Sequence, residues 1–116
     1  MLWRSGTVET EPEVDSWLDA LSAKDFGHVT FYIDMLEAEG TKLHGKLTRP
    51  LQGSVHELRF HMGTEDHRIS YWIAPGRRII LLTHFRKSRM NERREVKRAV
   101  RAYKKCVAEG HNAEDE

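Results

Sequence analysis

The segment FRKSRMNERREVKR, residues 85 to 98, is dense in arginine and lysine, although the whole chain carries a formal net charge of only +1. Guanidinium and ammonium groups bind phosphate oxygens through charge-assisted hydrogen bonds, and they displace counterions from a nucleic-acid backbone. Such contacts position a strand and read little of its sequence. The segment therefore predicts a surface that binds a phosphate backbone, with an ordinary solvated helix face as the alternative.

The small net charge hides a strong asymmetry along the chain. Residues 1 to 40 sum to −7, residues 41 to 110 to +11, and residues 111 to 116 to −3. A field this uneven suits a protein that turns one face to a polyanion and another face away from it. We expect residues 1–110 to form a single domain, because the length suits one modest core, and residues 111–116 to be a disordered acidic tail.

Composition and the single cysteine limit the class of protein. Hydrophobic residues at 39% and charged residues at 32% are typical of a globular protein, and no apolar run approaches the roughly 20 residues that a membrane span requires. The N-terminus has no apolar signal segment, so we expect a cytoplasmic protein with no membrane partner. Cys106 lies beside Val107 in a helical pattern, which favours a packed or idle thiol over a nucleophile.

Two helices are predicted in the acidic half of the chain. The first begins at a capping-box pattern, Thr10 to Glu13, and the second begins at Ser22 with Asp25 and ends at Gly40. Each run repeats its apolar residues at helical spacing, so the two helices form a hairpin with one apolar side. The two stripes consist of Val14, Trp17, Leu18 and Leu21, and of Phe26, Val29, Ile33 and Leu36.

Strands are predicted on both sides of this hairpin. LWRSGTVE is typical of a short first strand, whereas residues 41–53 contain Gly45, Pro50 and Gly53 and should be a loop. Alternating apolar and polar residues, separated by turn residues, then predict an antiparallel meander of three strands. Its strands are SVHELRFHM, HRISYWIA and RRIILLTHF, the last of them buried on both faces.

A last helix with a basic outer face is predicted to begin near Asn91. Its apolar stripe would contain Val96, Ala99, Val100, Tyr103 and Val107. The order of strand, helical hairpin, meander and basic helix indicates an α+β domain whose helices pack against a small sheet.

His56 and His61 lie five residues apart on one predicted strand. Side chains at an odd spacing point to opposite faces of a sheet, so these two imidazoles are poorly placed to hold one metal ion. We therefore predict no metal and no other cofactor.

Five short motifs connect the whole chain to a known family. They are EVDSWLDAL in the first helix, HELR at 56–59, HRISYW at 67–72, ILLTHFRK at 80–87 and EVKRA at 95–99. In this order and spacing they resemble the RelE/ParE superfamily of toxins from bacterial toxin–antitoxin modules, in particular its phage-related HigB-like branch. The resemblance implies a small RelE-like fold and a toxin that cleaves messenger RNA in the ribosomal A site. It also implies three partners, namely the 70S ribosome, mRNA and a cognate antitoxin, expected to be a helix-turn-helix protein.

The RNA cleavage that the resemblance implies uses the ribose 2′-hydroxyl as nucleophile, and needs a base, an acid and cations around the phosphate. Arg59 and Arg68 match the strand arginines of the family, and Lys87 matches the lysine that follows its phenylalanine. The alternatives are a salt bridge of Arg59 with Glu57, a solvated strand end for Arg68, and a general RNA contact for Lys87.

The acid and the base are less evident. Glu57 stands where RelE members carry a lysine, and Tyr103 lies too far along the last helix to replace their tyrosine. The titratable candidates are His84, His67 and Glu57. His84 is preferred because it ends the buried strand beside the basic segment, with a hydrogen-bonded core histidine as the alternative.

The remaining predicted contacts are to the RNA backbone, from Arg86, Arg89, Arg94, Lys97, Arg98 and Arg101. Two other functions stay open. A ParE-like toxin would share the fold and inhibit DNA gyrase, and a catalytically silent nucleic-acid-binding module would explain the missing lysine and tyrosine. The strand end LLTHFRK favours the endoribonuclease.

Overall fold

The computed structural model describes residues 7–39, 47–88 and 90–110. Its elements are β1 (Val8–Thr10), α1 (Pro12–Asp19), α2 (Ala23–Glu39), β2 (Thr48–Gln52), β3 (Val55–Met62), β4 (Glu65–Ala74), β5 (Arg78–Arg86) and α3 (Glu92–Ala108). The predicted α+β class is confirmed, and the architecture fits a small RelE-like fold. The predicted acidic tail, the start of the predicted first strand and the predicted helix end at Gly40 lie outside the described residues.

The strands form one mixed sheet in the order β1-β5-β4-β3-β2. Strands β3, β4 and β5 are the predicted antiparallel meander, and β1 adds parallel to β5. The loop predicted for residues 41–53 is wrong in its second half, because β2 pairs there with β3. Pro50 is tolerated since β2 is an edge strand whose register with β3 shifts between Pro50 and Gln52.

Helices cover both faces of the sheet. The hairpin of α1 and α2 packs on the face that carries Leu58, Ile69 and Leu81, called here the hairpin face. Helix α3 packs on the opposite face, over Ile80 and Leu82, called here the α3 face. The apolar stripes predicted for the hairpin are confirmed, with Val14, Leu18, Val29, Ile33 and Leu36 buried and Trp17, Leu21 and Phe26 packed against them.

A β-bulge in β5 changes which side chains face which helices. Ser70 pairs with Thr83 and Tyr71 pairs with Leu81, so Leu82 is passed over in the register with β4. Because the bulge shifts the alternation by one residue, His84 joins Leu81 on the hairpin face instead of joining Leu82.

The helix ends differ in detail from the predicted caps. Asp25 donates its backbone N–H to Ser22 Oγ at 3.1 Å, so this cap is confirmed. The capping box at Glu13 is wrong, because the residue before α1 is Glu11, which makes no side-chain cap, and the Glu13 carboxylate binds Arg98 instead. Among the described helices, none combines the length and apolar composition needed to cross a bilayer.

The buried side of α3 is narrower than the predicted stripe. Ala99 and Cys106 are buried, and Val100 and Tyr103 are partly buried against the sheet. Val107 is 48% exposed, so its assignment to the stripe is wrong. Burial raises the pKa of the Cys106 thiol to about 11, which agrees with a packed thiol.

Candidate phosphate-binding site

The strand register gathers cationic side chains on the α3 face. Arg59 pairs directly with Arg68 across β3 and β4, and Arg49 pairs with Glu57 across β2 and β3. Since side chains of paired residues lie on the same face, the four charged groups are neighbours. Two residues predicted from the sequence, Arg59 and Arg68, are thus brought together. Arg49 was missed, because it lies in the stretch predicted to be a loop.

A continuous chain of ion pairs connects this group to Lys87. Glu57, only 2% exposed, lies 2.7 Å from Arg49 Nε and 3.5 Å from Arg68 Nε. Arg49 Nη2 lies 2.9 Å from Glu92 Oε2, and Lys87 Nζ lies 3.2 Å from Glu92 Oε1. Hydrogen bonds from Lys87 and Arg49 lower the pKa of the Glu92 carboxyl, so Glu92 is ionised at neutral pH.

Arg68 is held inside this site. The residue is only 8% exposed, so the alternative of a solvated strand end is wrong. Its Nε is buried and makes no hydrogen bond within the described residues, although Glu57 is near. The residue also lines a cleft with Arg59, so its guanidinium contributes positive charge beside the space that an anion would enter.

A second pair of titratable groups lies on the same face. His61 Nδ1 lies 2.7 Å from Asp66 Oδ1 across the turn between β3 and β4. Both residues line a cleft of about 330 Å³ together with Arg59 and Arg68. Tyr32, Leu47 and Phe60 complete the lining. An exposed imidazole oriented by a carboxylate can accept or donate a proton through its other nitrogen.

The sequence contained a signal for this pair. His61 and Asp66 flank the turn at Gly63, so a hairpin between the two strands places them opposite each other. The motif-based prediction weighed His61 only as a metal ligand with His56, so it did not include the pair that His61 forms with Asp66.

His84 is not brought to the α3 face. Its ring stacks on Trp17 at a centroid distance of 3.6 Å, and its Nε2 lies 2.9 Å from His67 Nδ1. Burial, with added repulsion from His67 and Arg98, lowers the pKa of His84 to about 3. His84 and His67 therefore form a stacked, partly buried pair under α1, on the other side of the sheet from Arg59 and Arg68.

The position of His84 predicts an acid-sensitive fold. The pKa of His84 is near 6.5 when the chain is unfolded and about 3 when it is folded, so the unfolded chain binds the extra proton between these values. Stability from this group is complete above pH 6.5 and falls as the pH drops toward 3, by at most about 1.4 kcal/mol per pH unit. Urea unfolding of the native chain and of His84→Gln across this range should show a shallower pH dependence for the variant. Parallel curves would contradict the account.

The predicted RNA-binding residues fall into two groups. Arg94, Lys97 and Arg101 are exposed on α3, and Arg86 is exposed at the end of β5, where it pairs with Glu65 at 2.8 Å. Arg98 is only partly exposed and binds Glu13. Arg89 lies outside the described residues.

Arg98 ties three elements together. Its guanidinium donates to both carboxylate oxygens of Glu13 at 2.5 and 2.6 Å, to Glu95 at 2.8 Å and to the backbone oxygen of His84 at 2.9 Å. These bonds connect α3 to α1 and to the end of β5. Arg98 thus contributes to the packing of the helices, and its donors are already engaged.

Taken together, the fold and this site define a class, namely small α+β domains that gather cations on the sheet face beneath a basic C-terminal helix. A family model described as "Phage derived protein Gp49-like (DUF891)" matches residues 16–104, and the chain belongs to this family. This family belongs to the RelE/HigB-like toxin family and is associated with toxin–antitoxin modules, which implies a cognate antitoxin as a partner. No curated protein shows a significant match to the chain.

Proposed function

We propose that the protein is a ribosome-dependent mRNA endoribonuclease, acting in the cytoplasm as the toxin of a type II toxin–antitoxin module. The observation that carries the proposal is the collection of Arg59, Arg68 and Lys87 with the His61–Asp66 pair on one face of the sheet. Cations for a phosphate and a proton acceptor beside them are what metal-independent RNA cleavage requires.

The proposed reaction begins at the ribose 2′-hydroxyl. His61 Nε2 takes the proton of this hydroxyl while Asp66 holds the other side of the ring. The 2′-oxygen forms a bond to the adjacent phosphorus, and the bond from phosphorus to the 5′-oxygen of the next nucleotide breaks. The departing 5′-oxygen takes a proton from the Lys87 ammonium, so the products end in a 2′,3′-cyclic phosphate and a 5′-hydroxyl. Arg59 and Arg68 stabilise the charge on the phosphate during attack.

The basic side of α3 is proposed to hold the RNA backbone without reading its sequence. Arg94, Lys97 and Arg101 are exposed there, and each cation that meets a phosphate releases counterions. The antitoxin is proposed to cover this face with acidic residues, since charge complementarity would favour such an interface.

Induced expression in a bacterial host tests the proposal against its two alternatives. The endoribonuclease is expected to arrest translation and leave cleaved messages. An SOS response with intact messages would instead support a ParE-like gyrase inhibitor, and normal growth at verified expression would support a silent binding module. Cells expressing His61→Gln to the same level should grow normally, whereas His56→Gln, on the same strand but the opposite face, should remain toxic.

A further inference from the structure

We infer that the Glu92 carboxylate occupies the position that a phosphate of the RNA strand takes between Arg49 and Lys87. The inference rests on the proposed function for the identity of the strand. Arg49 is then an anion-binding residue of the site, and Glu92 must be displaced from it when RNA binds.

The Glu92 carboxylate bridges two cations, each of which contacts a different oxygen. Arg49 Nη2 lies 2.9 Å from one carboxylate oxygen, and Lys87 Nζ lies 3.2 Å from the other. Two non-bridging oxygens of a phosphodiester offer the same arrangement of acceptors to two cations. The first turn of α3, where Glu92 lies, also favours negative charge through the helix dipole.

The two acids of the ion-pair chain differ in a way that assigns them different tasks. Glu57 is 2% exposed and binds Arg49 Nε, so it fixes the plane of the guanidinium from inside the protein. Glu92 is 43% exposed and binds the outer edge of Arg49. The inner acid therefore positions Arg49, and the outer acid is the one that an incoming anion can replace.

Displacement is favourable only for an anion with further contacts nearby. A carboxylate and a phosphodiester each carry one negative charge, so a single phosphate gains little over Glu92 at this position. A strand can place neighbouring phosphates near the exposed Arg94 and Lys97 on the same helix. Glu92 thus selects for a polyanionic strand over a small free anion.

The test measures binding without cleavage. The dissociation constant of a short 2′-O-methyl RNA, which lacks the attacking hydroxyl, is compared between the native chain and Glu92→Gln at about 0.15 M salt, where charges beyond roughly 8 Å are screened. Glu92→Gln keeps the size of the side chain and removes its charge. We expect about fivefold tighter binding, the size of effect that one surface ion pair supplies.

Two comparisons isolate the cause of the gain. Asp34→Asn removes the same charge from the exposed side of α2, and it should change the affinity by less than about twofold. Adding Arg49→Gln to Glu92→Gln should abolish the gain, because the freed cation is then missing. Thermal unfolding of each variant verifies that it is folded.

The outcomes separate this inference from the proposed function. Equal affinities of the native chain and Glu92→Gln, or an equal gain in Asp34→Asn, would overturn the inference even if the native protein cleaves mRNA. If the native protein does not cleave mRNA on the ribosome, the proposed function is overturned instead. The affinity of Glu92→Gln for inorganic phosphate is measured as well. Inorganic phosphate should bind this variant far more weakly than the RNA does, and comparable affinities would contradict a site that binds an RNA strand.

Discussion

Replacing His61 with glutamine is expected to lower single-turnover cleavage of ribosome-bound mRNA by about 100-fold or more, the usual loss when a general base is removed. The imidazole lies beside Arg59 and Arg68 in one cleft, and Asp66 orients it at 2.7 Å. Measurement at saturating protein separates this loss in the chemical step from any change in ribosome binding. Asp66→Asn should show a smaller loss, because it removes the orientation of the ring and leaves the imidazole.

The matched control is His56→Gln. His56 lies on the same strand, but its ring stacks on Tyr71 on the hairpin face, away from the arginines. This variant should cleave like the native protein. If His61→Gln also cleaves at the native rate, the acid–base assignment is wrong, and the site must work by charge stabilisation and by positioning the 2′-hydroxyl.

Replacing Glu57 with glutamine is expected to lower the free energy of unfolding by about 3 kcal/mol, a large share of the roughly 5–15 kcal/mol that domains possess. Glu57 is 2% exposed and is the carboxylate beside the buried Arg68. Without it, Arg68 is a buried cation with no other acid in salt-bridge contact among the described residues, whereas Arg49 keeps Glu92. Urea unfolding at neutral pH measures the difference.

The double variant Glu57→Gln, Arg68→Met shows where the loss originates. Removing both buried charges should recover most of the stability, because the penalty comes from leaving one charge unpaired. A double variant that is no more stable than Glu57→Gln alone would assign the loss to packing and not to charge. Arg86→Gln, which breaks the exposed pair with Glu65 and leaves the contact of Glu65 with the buried His67, should change the stability by less than about 1 kcal/mol.

Local periodicity was sufficient to predict the helical hairpin and the meander. The stripes that contain Val14, Leu18, Ile33 and Leu36 depend only on spacing within each helix, and the structure buries them as expected. Strand β2 was missed because Pro50 and the neighbouring glycines are typical of a loop. An edge strand tolerates a proline that an inner strand would not, and only the topology of the sheet reveals which strand is at the edge.

The candidate site was predictable only in part, for a similar reason. Arg59 and Arg68 were predicted from the resemblance to the toxin family, and the regular alternation of their strands up to the turn between them separates both from the apolar positions. The run IILL in β5 is apolar on both faces, so its sequence carries no sign of the bulge at Leu82 that turns His84 to the hairpin face. Predicting Arg49 required the strand that was missed. Predicting the role of Arg98 required its hydrogen bond to Glu13, which lies 85 residues away in the chain.

The proposed cleavage is tested most directly by mapping the ends of mRNA fragments that the purified protein produces on translating ribosomes. We expect cleavage within codons in the A site, with fragments that carry a 2′,3′-cyclic phosphate at one end and a 5′-hydroxyl at the other. These fragments should be lost with Lys87→Gln but not with Lys24→Gln, which changes an exposed lysine at the start of α2. Intact mRNA, or fragments that carry a 3′-hydroxyl and a 5′-phosphate, would contradict the proposed function.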